Sequence, residues 1–164
     1  MQKIRYLFLL CVTLALVSCA ATGPIFSEVE NTNAGLATIY LYHPKDDQYG
    51  SSEADFLFYN DQQVFRFTHG GYTYFLVDPG DHTFEIRLST FFVATKLTKG
   101  TVTIHAEAGK NYYVKYREEL DRVEMWSTGT MAGASRITKA NIVQMKESAG
   151  KVEITAMKYL SNEF

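Results

Sequence analysis

From residue 36 onward, apolar and polar positions follow the period of extended backbone. The run LATIYLYH (36–43) is apolar on both faces and rich in β-formers, which predicts a central strand ended by Pro44. Residues 45–53 are polar and predict a loop. Residues 56–59 and 62–67 flank Asn60-Asp61 and predict a hairpin. His69-Gly70-Gly71 predicts a turn and residues 72–77 a strand. In Asp78-Pro79-Gly80-Asp81, proline presets φ and glycine supplies a positive φ, so this is a tight turn. Residues 82–88 then alternate, with Phe84, Ile86 and Leu88 on one face and Thr83, Glu85 and Arg87 on the other. Residues 101–106 alternate likewise, with Val102, Ile104 and Ala106 against Thr101, Thr103 and His105. After a turn at Ala108-Gly109-Lys110, Tyr112, Val114 and Tyr116 alternate with Tyr113, Lys115 and Arg117. Residues 122–126 predict a separate further strand.

Toward the C terminus the pattern changes. Residues 127–135 are small and polar and predict a mobile loop, and residues 141–145 predict a last strand. Over 152–160, Val152, Ala156 and Tyr159 fall near one helical face, which predicts a short C-terminal helix. About 7–9 short strands at near-regular spacing argue for an all-β fold. The expected architecture is an antiparallel β-sandwich, or a partly closed barrel, over residues 36–164.

The N terminus follows another pattern. Lys3 and Arg5 precede a short apolar run, and small residues close it. That is the layout of a secretory signal peptide over residues 1–18, too short for a transmembrane helix of about 20 apolar residues. The run ends in Leu16-Val17-Ser18-Cys19. This resembles the lipobox of bacterial lipoproteins. The resemblance implies cleavage between Ser18 and Cys19, a diacylglycerol on the Cys19 thiol and a fatty acyl chain on the new amino terminus. Two or more acyl chains hold a protein firmly on a membrane. Residues 19–35 carry Gly, Pro, Asn and Thr without periodicity and are expected to form a flexible tether, unless Ile25 and Phe26 dock on the domain. Ala20, rather than Asp, follows the lipidated position. In a Gram-negative host that implies the outer membrane, with the domain facing the periplasm.

Composition narrows the function classes. Hydrophobic residues at 46% against 21% charged can build a core within 164 residues. The net charge of -2 becomes -4 once Lys3 and Arg5 leave, so nucleic acid is not an expected partner and the overall charge supplies no second membrane anchor. Cys11 leaves with the signal and Cys19 is blocked, which leaves no disulfide and no thiol nucleophile. No Gly-x-Ser-x-Gly, His-Glu-x-x-His, phosphate loop or calcium-loop spacing occurs; Asp46-Asp47 has no ligand series after it. His69 and His82 flank one expected strand and could meet at a sheet end, but zinc needs three or four convergent ligands. His105 is expected to face solvent. Asp78 and Asp81 read as turn formers rather than an acid–base pair. No enzyme activity, metal or cofactor is expected.

The aromatic content of 14% carries the main clue to binding. Tyr40 and Tyr42 share one strand face, as do Tyr72 and Tyr74. Tyr112 and Tyr116 share another, with Tyr113 opposite. Tyrosine suits half-exposed contact surfaces, but cross-strand packing uses it equally well. Phe91 and Phe92 open an apolar run in the connection 89–99 and could form an exposed loop. These residues are the candidate surface for an envelope protein or glycan. The alternative is a small-ligand carrier with an aromatic-lined pocket.

The order of Ile39-Tyr40, Pro79-Gly80 with His82, Ala108 through Tyr113, and Gly150-Lys151-Val152-Glu153-Ile154 resembles bacterial lipoproteins of the domain-of-unknown-function family numbered 2846. The resemblance spans about residues 36–160. It implies an envelope lipoprotein with a sandwich-like β domain and no established catalysis. His43 stands where many members have Arg.

Overall fold

The computed structural model describes residues 21–45, 55–90 and 93–160; Ser18, Cys19, Asp46, Asp47, Phe91 and Phe92 lie outside them. Strand β1, Ala37–His43, is buried along its whole length, as a strand apolar on both faces must be. The chain continues through β2 (Asp55–Tyr59), β3 (Gln62–Phe67), β4 (Gly71–Val77), β5 (Gly80–Thr90), β6 (Val93–Ala106), β7 (Asn111–Ser127), β8 (Ala132–Met145), helix α1 (Glu147–Ile154) and β9 (Lys158–Tyr159). The strands form a five-stranded sheet, β8-β7-β1-β4-β9, and a four-stranded sheet, β3-β2-β5-β6. The architecture is an all-β sandwich and not a closed barrel.

Pairing is antiparallel within the hairpins, but β1 runs parallel to β7, with Thr38 opposite Asn111 and Tyr42 opposite Lys115. The large sheet is therefore mixed. The chain crosses to the small sheet twice before β7 returns beside β1, which sets the two strands in one direction. The β2–β3 turn places Asn60 and Asp61 at φ 46° and 64°, the left-handed pair that a two-residue hairpin requires.

Between the sheets Ile39, Leu41, Leu57, Phe84, Ile86 and Ile104 are fully buried. These include the inward positions expected from the alternation of β5 and β6. A second buried cluster lies on the other face of the large sheet, around Tyr40, Tyr42, Tyr72, Tyr113, Ile154 and Met157.

Four expected boundaries differ. The connection 89–99 is not a loop: Ser89 pairs with Ala94 and Thr90 with Val93, so β5 and β6 form one long hairpin. The strands expected at 112–117 and 122–126 are one strand, bent by a register shift between Leu120 and Arg122. The expected loop at 127–135 shrinks to 128–131, because β8 pairs with β7 back to Ala132. The terminal helix starts at Glu147 rather than 152, and it buries Gly150 and Ile154 while Val152 is exposed. In each hairpin, backbone pairing continues through residues whose side chains are too polar or small to signal a strand.

Candidate functional site

The outward face of the large sheet is where most of the sequence-selected tyrosines meet. Tyr40 and Tyr113 stack at 5.2 Å between ring centroids. Tyr74 lies 6.4 Å from Tyr40, and Tyr159 packs on both Tyr72 and Tyr74. The face is not open. Residues 21–35, expected as a tether, fold back as a strap across it. Phe26 makes edge contacts with Tyr40 and Tyr72, at 5.4 Å and 5.1 Å. Helix α1 covers the rest, and Gly150 allows its approach, since a Cβ there would overlap the Tyr113 side chain. Tyr40, Tyr42, Tyr72 and Tyr113 are therefore interior residues, which corrects the surface expected for them. Tyr74 is half-buried at the rim, and Tyr112 packs against the inter-sheet core. The physical reason is that an outward row of tyrosines buries large apolar area once a segment can satisfy its hydroxyls.

Those hydroxyls are satisfied by the cover. The Val29 N–H donates to the Tyr40 oxygen at 2.9 Å. Tyr113 donates to Glu28 and Tyr42 to Glu153, each at 3.1 Å. Lys151 pairs with Glu28 and Lys115 with Glu153, at 2.7 Å and 2.6 Å. Burial pushes the Tyr40, Tyr42 and Tyr113 hydroxyls up, and the neighbouring carboxylates raise Tyr42 and Tyr113 further, so all three stay protonated, Tyr42 and Tyr113 as donors and Tyr40 accepting from Val29.

A second constellation, which the sequence reading missed, lies at the end of the inter-sheet core. Lys99 of β6 bridges Asp55 of β2, at 2.8 Å, and Glu118 of β7. The Tyr116 hydroxyl donates to Asp55 at 2.5 Å and to Glu118 at 3.0 Å, and Thr138 donates to Glu118 at 2.9 Å. Both carboxylates are at most 4% exposed. Burial raises the Asp55 carboxyl above its usual value despite Lys99 and Tyr116. Burial also pushes Glu118 up, but Lys99, Thr138 and Tyr116 outweigh it and hold the carboxyl below its usual value. Lys99 stays charged, since the two carboxylates outweigh the burial that would lower it. The cluster ties four strands from both sheets together where the core ends. One signal was available: Glu118 stands in phase with the inward-facing Val114 and Tyr116.

The histidines separate. His43 lies inside against His69, with ring centroids at 4.0 Å, and against Tyr116 at 4.7 Å. His82 instead contacts Tyr59 at 2.7 Å, so His69 and His82 do not meet. His105 is exposed and lies 2.7 Å from Asp81, while Asp78 contributes its backbone carbonyl to His82. Among the described residues no group of three or more His, Cys, Asp or Glu is placed to hold a metal ion.

Beyond the Lys99 cluster, β5–β6 and β7–β8 continue as hairpin arms whose residues are mostly exposed. Leu97, Val123, Met125 and Met131 are exposed there by half or more of their area. Trp126 lies over its cross-strand partner Gly133, where a Cβ would come within 2.6 Å of the indole. A model of a family of proteins of unknown function, DUF2846, matches residues 33–131. No curated protein and no solved structure matches the chain.

Proposed function

The chain belongs to the DUF2846 family of proteins of unknown function, and from that premise we propose that it is an envelope lipoprotein whose β domain binds a protein without catalysing a reaction. Its anchor is the acylated Cys19, and its home is the periplasmic face of the outer membrane. The observation that carries the binding role is the pair of arms. Large apolar patches left exposed beyond a core mark interaction sites, and the arms concentrate several exposed large apolar side chains. Leu97, Val123, Met125 and Met131 supply the apolar contacts, and the exposed charged residues Glu119, Arg122 and Glu124 lie beside Val123 and Met125 along β7. A polar rim around apolar anchors is the composition of a protein-binding surface. The carrier alternative is the weaker reading, because Tyr40, Tyr42, Tyr72 and Tyr113 pack under the strap and α1 rather than around a hollow, and apolar side chains of both sheets pack against one another.

The anchor is tested by Cys19→Ser, which should move the protein from the detergent phase to the aqueous phase. Retention of a processed Cys19→Ser chain in the detergent phase argues against lipidation. The binding role is tested with a photo-crosslinking side chain at Met125 in intact cells. A discrete protein adduct absent from the same substitution at Glu107 supports it, and adducts equal at both positions refute it.

A further inference from the structure

The strap brings the proposed lipid unusually close to the domain. Ala21 is 7% exposed. Gly23 approaches Tyr159 so closely that a Cβ would overlap its carbonyl oxygen. The Pro24 carbonyl accepts the Tyr159 N–H at 2.8 Å, and the Phe26 N–H donates to Met157 at 2.9 Å. The chain is thus held from Ala21 onward. Only Ala20 separates Ala21 from Cys19, and two residue steps span at most about 7 Å. A lipid on Cys19 cannot hold this domain off a membrane on a flexible leash. It must bring the strap and β9 down to the headgroups, so the exit point of the chain selects the surface that meets the bilayer.

We infer that the strap, β9 and α1 form the membrane-contacting face of the domain, with Ile25 and Val152 as its apolar contacts and Lys146, Lys151 and Lys158 as its headgroup partners. This rests on the acylation of Cys19 proposed above. The elements are connected: Ile25 bridges Lys158 by backbone pairing, and Lys151 pairs with Glu28 of the strap. Ile25 is 65% exposed and Val152 72%, whereas Ala21 in the strap and Ile154 in α1 are buried. All three lysines are exposed. Lysine stems lie along an apolar surface while their ammonium groups reach phosphates, which suits the interfacial zone. Glu28, Glu30, Glu147 and Glu153 on the strap and α1 oppose this charge, with Glu28 paired to Lys151 and Glu153 to Lys115, and the whole chain is acidic, so the lysines only orient a domain that the lipid already holds. With this face down, the arms remain available to a protein partner.

The test uses the acylated full-length protein, reconstituted into vesicles of phosphatidylethanolamine and phosphatidylglycerol. With Cys11 removed and Cys19 blocked, an introduced cysteine is the only thiol, so Val152→Cys, Met125→Cys and Lys110→Cys each take one environment-sensitive fluorophore. The expected result is a blue shift and quenching by brominated acyl chains at Val152, with neither change at Met125 or Lys110. Quenching at Met125 without quenching at Val152 overturns the orientation, as does a floating protein quenched at none of the three. Flotation of the unlabelled protein, compared with Cys19→Ser, reads the anchor separately. A wild-type protein that does not float overturns the lipidation and the orientation with it. A floating protein unquenched at Val152 overturns the orientation alone.

Discussion

The large sheet is closed on both faces, by different chemistry. Its inward face presents Ile39, Leu41 and Val114 to a second sheet, and the contact is made mostly by aliphatic and phenylalanine side chains. Its outward face presents Tyr40, Tyr42 and Tyr113 to a strap and a short helix, and each hydroxyl is matched to a backbone N–H or a carboxylate. Sheet-on-sheet packing works by area alone, so many aliphatic sequences satisfy it. An irregular cover contributes less area and relies on defined hydrogen bonds. The outward face is therefore the more specified of the two and the easier to open locally. Among the described residues the inward face turns polar toward one end, at the Lys99 cluster and at His43 beside Tyr116.

The largest test breaks the inward face at that cluster. Lys99→Met removes the cation between two carboxylates that are almost sealed from water. Leaving a buried charge uncompensated costs about 3–5 kcal/mol. Urea unfolding at neutral pH should show that loss. A loss below 1 kcal/mol would mean that water reaches the carboxylates.

The two acids of the cluster should then behave oppositely. Glu118 has a folded pKa below its unfolded value near 4.5, so its stabilisation is present above that value and fades as pH falls through the folded one. Asp55 has a folded pKa above its unfolded value near 3.8. Its ionised form opposes folding above the folded pKa, and that penalty is gone below the unfolded value. Glu118→Gln should therefore destabilise more than Asp55→Asn at neutral pH, by about 2 kcal/mol from hydrogen bonds to a charged group. The gap should close as the unfolding experiment is moved into acid. Equal losses at neutral pH would place the two carboxylates in equivalent surroundings.

Much of the inward face was legible in the sequence, because it obeys a period of two. Phe84, Ile86, Val102 and Ile104 could be assigned to the core before any coordinates. Residues 36–43 were recognised as central because both of their faces are apolar. Tyr40 was correctly paired with Tyr42 on one face of β1, and Tyr113 set opposite Tyr112 and Tyr116, but a sequence period cannot say which faces meet or what covers them. The cover comes from residues 21–30, which have no period, and from a helix whose apolar residues are too few to mark its start. Lys99 was illegible for a related reason. It sits where a register shift displaces β6 relative to β5, so its long side chain reaches inward from a position that strict alternation leaves undefined. Of the arms only residues 122–126 were legible as a strand; the rest was missed because polar and small residues dominate it, and pairing with the opposite strand reveals it.

A smaller effect is expected where the outward face is opened. Phe26→Ala removes the strap's contact with Tyr40 and Tyr72. Partial burial of one phenylalanine corresponds to about 1–2 kcal/mol. Hydrogen exchange should show the change as faster exchange at residues 24–29 while the amides of β1 and β7 keep their protection. Equal loss of protection in β1 would mean that the strap and the sheet unfold as one unit, and the contrast between the faces would disappear.

The smallest test separates hydrogen bonding from area within that same cover. Tyr40→Phe leaves the ring, its stack on Tyr113 and its contact with Phe26 in place, and removes only the oxygen that accepts the Val29 N–H. A lost hydrogen bond of this kind is worth about 1 kcal/mol. If the outward face is closed by defined hydrogen bonds, exchange at Val29 should rise by roughly fivefold, since about 1 kcal/mol corresponds to that factor in an equilibrium constant. The hydroxyl has no counterpart on the inward side of β1, where Ile39 and Leu41 make their contacts by shape. An unchanged Val29 rate would show that ring area alone holds the strap, and the two faces would then differ in their residues but not in their physics.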